Sequence, residues 1–122
     1  MKLRSGTAIP SGEQATLDND SRLDIEFWDE FNHAYIQFDL KLHTSDANKR
    51  IMAAVDILTF LNQERYQPVV LHEANKELLN DISHMCNAYN EQANQYYSQQ
   101  QITKQTYDKI KNKIYETEQI YN

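Results

Sequence analysis

The chain has 122 residues, a formal net charge of −6 and a single cysteine, Cys86. That length fits one domain, the acidity argues against general nucleic-acid binding by phosphate neutralisation, and one thiol excludes an intramolecular disulfide. No stretch approaches the ~20 apolar residues that span a bilayer, and the opening residues hold no signal-like apolar run. The expected setting is therefore intracellular, either cytoplasmic or within a viral particle, and neither secreted nor membrane-spanning.

Both glycines, Gly6 and Gly12, lie with Pro10 in the opening stretch. Residues 1–20 read as a flexible N-terminal tail carrying Lys2 and Arg4, and residues 21–122 as a single helical domain. From Glu13 onward there is no glycine, and Pro68 is the only proline. A glycine-free body excludes phosphate-cradling loops, which need close backbone approach, and disfavours sheets with tight turns.

The first element is predicted to begin near Ser21, where Ser21 and Asp24 form a capping-box pattern. Leu23, Phe27, Phe31, Ala34, Tyr35, Phe38 and Leu42 recur three and four apart, which gives a helix one apolar face. Residues 22–43 also carry a competing pattern. Ile36, Phe38, Leu40 and Leu42 alternate with Gln37, Asp39, Lys41 and His43, as in a β-hairpin, which would make the fold α+β. The second helix is expected after Thr44 and Ser45, either of which is a suitable cap, and ends before Pro68. Ala47, Ile51, Ala54, Val55, Leu58 and Leu61 form its stripe. Met52, Ile57 and Phe60 widen that stripe, so this helix should be the most buried.

A third helix is predicted over residues 69–98, about 45 Å long at ~1.5 Å per residue. Leu78, Ile82, Met85, Tyr89, Gln92 and Tyr96 give it a heptad rhythm that Gln92 weakens. The fourth helix runs from a Thr103 cap to about Tyr121, with Tyr107, Ile110, Ile114, Thr117 and Tyr121 in step. The short linker between them predicts an antiparallel hairpin. The fold class is all-α: a four-helix, mostly antiparallel bundle with a long C-terminal helical hairpin.

Within that hairpin, Ile102, Thr103, Tyr107, Lys111, Lys113 and Ile114 are spaced as Ile-Thr-x-x-x-Tyr-x-x-x-Lys-x-Lys-Ile. This stretch resembles the short C-terminal domain that ends many bacterial and phage proteins. The resemblance covers about thirteen residues, and the glycine that normally precedes the Ile-Thr is missing. It implies a small interaction or oligomerisation element.

Candidate chemistry is sparse. Glu30 and His33 have the Glu-x-x-His spacing of a di-iron bundle, and Asp81 and His84 approximate it. Glu30, His33 and His84 nevertheless fall outside the inward arcs of their helices, where first ligands must project. The helix-two carboxylates Asp56 and Glu64 do not converge with them. His84 and Cys86 are two apart on one helix and point to different sides, so they cannot share an ion. Cys86 reads as a buried thiol. His72 and Glu73 read as solvated surface. No catalytic residue, cofactor, metal or small-molecule ligand is predicted.

What remains are contact surfaces. Trp28 sits at the margin of the first apolar arc, with Ile25, Ile36 and Leu40 further round, and exposed apolar groups in a patch mark contact sites. Tyr115, with Tyr97 or with Tyr96 at the end of the heptad rhythm, is the aromatic set of the hairpin left for contact. The leading expectation is a non-catalytic structural or adaptor protein. It would work through protein partners, as a homo-oligomer or as a subunit of a larger assembly such as a viral or phage particle. The alternative is a nucleic-acid-associated regulator using Lys2, Arg4 and the Lys-rich last helix.

Overall fold

A computed structural model describes the backbone from Asn19 to Asn122 and the side chains from Arg22 onward. The described chain is all-α. Helix α1 spans Asn19–Lys41, α2 spans Ala47–Leu61, α3 spans Gln67–Leu71, α4 spans Lys76–Ser98 and α5 spans Lys104–Tyr121. Single 3-10 turns at Glu64–Tyr66 and Glu73–Asn75 bracket α3. No strand occurs among the described residues.

Residues 22–41 are helical throughout, so the hairpin reading of the first segment is overturned. The alternation over 36–42 loses to the three- and four-residue period because only a helix gathers Phe27, Phe31 and Phe38 on one buried face. The backbone is already helical at Asn19, which puts Ser21 inside the first turn and not at the cap. Lys2 and Arg4 lie outside the described residues.

Helix α2 is the axis of the fold and packs against both α1 and α5. Seven of its fifteen residues are buried: Ala47, Ile51, Ala53, Ala54, Ile57, Leu58 and Leu61. Its cap is Asp46, one residue beyond the expected pair. Asp46 has an extended backbone and its carboxylate accepts from the Asn48 amide at 2.9 Å. Thr44 serves the loop instead, its hydroxyl accepting from the Asp46 amide and its carbonyl from the Arg50 guanidinium at 2.6 Å.

The long third helix is broken. His72 is extended and its imidazole Nδ1 accepts from the Ala74 amide, which starts a new turn. The Asn75 side chain, buried, donates to the Val69 carbonyl at 2.8 Å. In a continuous helix the amide of residue 73 would take that carbonyl. The same amide group donates to Asp24, so the break ties α1 to the start of α4. The result is a short α3 that packs on both α1 and α4. Helix α4 then has 23 residues against 18 in α5. At ~1.5 Å per residue they are about 34 and 27 Å long, so the overhang is far smaller than the sequence suggests.

Helices α4 and α5 form the antiparallel hairpin. Helix α4 buries Leu78, Ile82, Met85, Cys86, Tyr89 and Ala93. Ala93 replaces exposed Gln92 as the inward residue, so the stripe drifts one position from the strict heptad. Facing it, α5 buries Thr106, Ile110, Ile114, Thr117 and Tyr121. Thr103 is the cap of α5, its hydroxyl accepting from the Thr106 amide at 3.1 Å. The Thr103 amide donates to Asn48, which fixes the hairpin loop against the start of α2.

The α4–α5 turn is a Schellman motif. The Gln101 amide donates to the Tyr96 carbonyl at 2.8 Å and the Gln100 amide to the Tyr97 carbonyl at 3.0 Å. Gln100 carries a left-handed backbone, with φ 61°, where a helix terminus favours glycine. A side chain there costs roughly 1–2 kcal/mol. Gln100→Gly is therefore expected to stabilise the fold by about 0.5–1 kcal/mol after the added freedom of the unfolded chain is discounted. A rise in the urea midpoint checks it.

Candidate interaction surface

The candidate surface is built on α1, whose inward side is aromatic. Phe27 stands at the centre of a ring cluster. It meets Trp28 edge-on with centroids 5.2 Å apart, Phe31 stacked at 5.7 Å, Phe60 of α2 at 5.6 Å and Tyr66 edge-on at 5.2 Å. Tyr66 is fixed in turn by its hydroxyl, which donates to Glu26, while Arg65 pairs with Glu26 and lies over the Tyr66 ring. Further along, Phe38 meets Tyr89 of α4. These contacts lock the rotation of α1 and thereby decide which residues face water.

Trp28 is 2% exposed, so it does not belong to an exposed patch. It lies one turn beyond Asp24, which accepts from Asn75 at the α3–α4 junction. The helix-one wheel puts Trp28 at the margin of the arc, but α1 packs against both α2 and the short α3. The indole is buried, edge-on to Phe27 and Phe31.

The remaining members of the predicted face are exposed. Ile25 is 36%, Ile36 55% and Leu40 60% exposed. They are eleven and four residues apart, which places them on one ridge opposite Phe27, Phe31 and Phe38. Arg22, Asp29 and His33 share that ridge and are exposed. Among the described residues, none of the three makes an ion pair. Elsewhere on α1, Lys41 pairs with Asp56 of α2.

The three hairpin tyrosines are not gathered with this ridge. Tyr96 is half-buried; its hydroxyl accepts from Arg50 at 3.3 Å and its ring lies beneath the same guanidinium, so it ties α4 to α2. Tyr97 stacks on Tyr107 at 4.3 Å. Tyr115 is 64% exposed on α5. The lysines of α5 are mostly engaged: Lys104 with Asp108, Lys113 with Glu116, and Lys111 with Asn90 and Asn94. Those contacts leave the α5 surface close to charge balance, a poor footing for phosphate binding. Leu42, placed by its spacing on the inward face of the first helix, is instead 38% exposed, because the helix stops at Lys41 and Leu42 leaves the helical period. Leu71, 51% exposed, was missed by sequence reasoning and sits where the break at His72 ends α3.

The residues of the di-iron spacing are scattered over the surface: Glu30, His33, Asp56, Glu64 and His84 are exposed and Asp81 is half-buried. Among the described residues no three His, Cys, Asp or Glu side chains converge on a possible ion. No helix of the described residues is long and apolar enough to cross a membrane.

Cys86 is buried in the core. Burial, with Glu118 nearby as a lesser cause, pushes its thiol from the ordinary 9.0 up to about 11. Burial also raises the phenols of Tyr89 and Tyr121. These groups keep their protons in the fold at a pH where the unfolded chain has begun to lose them. The stability tied to the Cys86 thiol is intact below about 9.0 and is lost as pH climbs towards about 11, and that tied to the two phenols is lost only above their ordinary 10.0. The urea midpoint is expected to fall across that window, and Cys86→Ala to flatten part of the fall.

No protein-family model matches the chain, and comparison with curated proteins and with solved structures finds no match either.

Proposed function

We propose that this chain is a non-catalytic structural or adaptor protein that acts by binding other proteins within a larger assembly, with the outward ridge of α1 as its contact surface. One observation carries the reading. Ile25, Ile36 and Leu40 lie open to water along one line of a helix whose opposite side is locked into an aromatic core. A surface helix of a self-sufficient bundle gains nothing from aliphatic residues there, whereas a helix that packs on both sides does. The rest of the ridge is polar, as the rim of a protein contact is.

Capture from the native source tests this reading. Full-length protein is compared with an Ile36→Glu/Leu40→Glu variant, and circular dichroism checks that the variant stays helical. A defined set of proteins retained by the wild type and lost with the variant is the expected result. The same set retained by both would remove α1 as the contact surface.

A further inference from the structure

The chemistry along the α1 ridge also points to a partner. We infer that the ridge is a self-complementary surface on which a second copy of this chain docks, α1 against α1 in antiparallel orientation, as a weak symmetric dimer. The inference rests on the reading of α1 as the contact surface and specifies its occupant.

The ridge carries apolar and charged residues in an order that a two-fold axis satisfies. In a symmetric antiparallel helix pair, each side of one ridge meets the same side of the other. An axis crossing the ridge level with Glu30 and Phe31 sets Ile25 opposite Ile36 of the second copy. By symmetry Ile36 then lies opposite Ile25 of the second copy. The two isoleucines of the ridge thus cover each other twice.

Asp29 and His33 are one turn apart on one side of the ridge, exposed, and without an ion pair among the described residues. The same register brings Asp29 beside His33 of the second copy, again twice. Arg22 and Leu40 lie on that side as well. Arg22 comes level with Leu40 of the second copy, where its aliphatic stem can lie along the leucine while its head group stays in water. An acid and two basic side chains interleaved with aliphatics on one line answer each other when the line meets itself in reverse, with each acid–base contact made twice. A uniformly basic or uniformly acidic partner would leave part of the set opposed by like charge.

Size sets the strength. Three partly exposed aliphatic side chains per copy, without a large aromatic anchor, form a contact at the low end of specific interfaces, below roughly 1,200 Å². The dimer is therefore a weak, concentration-dependent one, suited to reinforcing neighbours in an assembly and not to holding a permanent pair.

Sedimentation velocity on the full chain, from micromolar to millimolar, tests the inference. The wild type is expected to shift reversibly from monomer to dimer. Ile36→Glu should weaken association by about tenfold or more, since it places a carboxylate in the apolar contact twice. Asp29→Lys and His33→Glu should each weaken it by several-fold. The double substitution Asp29→Lys/His33→Glu should recover most of the loss, because an acid again faces a base with the two positions exchanged. Circular dichroism confirms that every variant folds. A wild type that stays monomeric throughout overturns the inference, as does a dimer indifferent to Ile36→Glu or a double variant no better than its singles. If the wild type is monomeric but Ile36→Glu/Leu40→Glu still abolishes capture of another protein, the second copy is excluded as occupant and the α1 contact surface stands. If neither assay responds, both readings fall.

Discussion

Replacing Phe27 with alanine is expected to lower the unfolding free energy by about 3–5 kcal/mol, the range for truncating a fully buried phenylalanine. Phe27 is wholly buried and touches four other rings drawn from α1, α2 and the turn that follows α2. Rings of that kind add about 0.5–1.5 kcal/mol per pair beyond their buried area. No single neighbour can fill the void, because Phe31, Phe60 and Tyr66 are themselves held by further contacts. Small domains have only about 5–15 kcal/mol in total, so this one change removes a large share. Urea unfolding followed by circular dichroism measures it. Ile36→Ala, on the opposite side of the same helix, should change stability by less than about 0.5 kcal/mol. If the two substitutions cost the same, the assignment of inward and outward faces of α1 is wrong.

The second large effect is at Asn62, which is buried at the C-terminus of α2. Its backbone amide caps the helix by donating to Leu58, and its carbonyl accepts from the Gln67 side chain. Its side-chain amide donates to Thr117 at 2.9 Å and to Glu116 at 3.3 Å, while the Thr117 hydroxyl donates to the Lys113 carbonyl. Beside it, the Tyr121 hydroxyl donates to the Leu61 carbonyl. These bonds fix the axial register of α5 against α2, which aliphatic packing alone would leave free to slip by a turn. Asn62→Ala is expected to cost about 1–3 kcal/mol, since it opens a small void and leaves the Thr117 oxygen short of a donor. Asn62→Leu/Thr117→Val, which removes both partners together, should cost clearly less than the sum of the single changes. A double-mutant cycle by denaturant titration checks this. Strict additivity would show that the two side chains do not communicate.

Much of the fold is legible in the sequence because burial leaves a period. Phe27, Phe31 and Phe38, then Ile51, Leu58 and Leu61, then Leu78, Ile82, Met85 and Tyr89, and finally Ile110, Ile114 and Tyr121 were all readable as inward stripes, and all are buried. Thr103 was readable as a cap because its hydroxyl needs only a local partner. The features that the sequence concealed rest on individual hydrogen bonds and backbone angles, which leave no apolar period. Asn75 breaks the third helix by reaching Val69 and Asp24, and nothing in the local pattern around it signals that. Asp46 caps α2 in place of Thr44 and Ser45 because Arg50 draws the Thr44 carbonyl into the loop. Gln100 adopts a glycine-like backbone that its residue type disguises.

The interaction surface shows the same division. Ile25, Ile36 and Leu40 were identifiable as a second apolar line from helical spacing alone. Trp28 was misplaced with them because a helix wheel assumes a single packing neighbour, whereas α1 packs against both α2 and α3 and Trp28 is buried. Tyr96 is half-buried beneath Arg50, whereas Tyr97 stacks on Tyr107 and stays 38% exposed. Tyr115 remains outward, but on α5, away from the aliphatic line.

Carbene footprinting separates the α1 ridge from the outward face of α5 in one experiment. The full chain is labelled as a dilute purified protein and again in concentrated extract of its native source, and modification is read residue by residue. Protection of Ile25, Ile36 and Leu40 in the extract, with Tyr115 labelled equally in both conditions, is the predicted result. Protection of Tyr115 with an unchanged α1 ridge would contradict it and place the contact on the last helix.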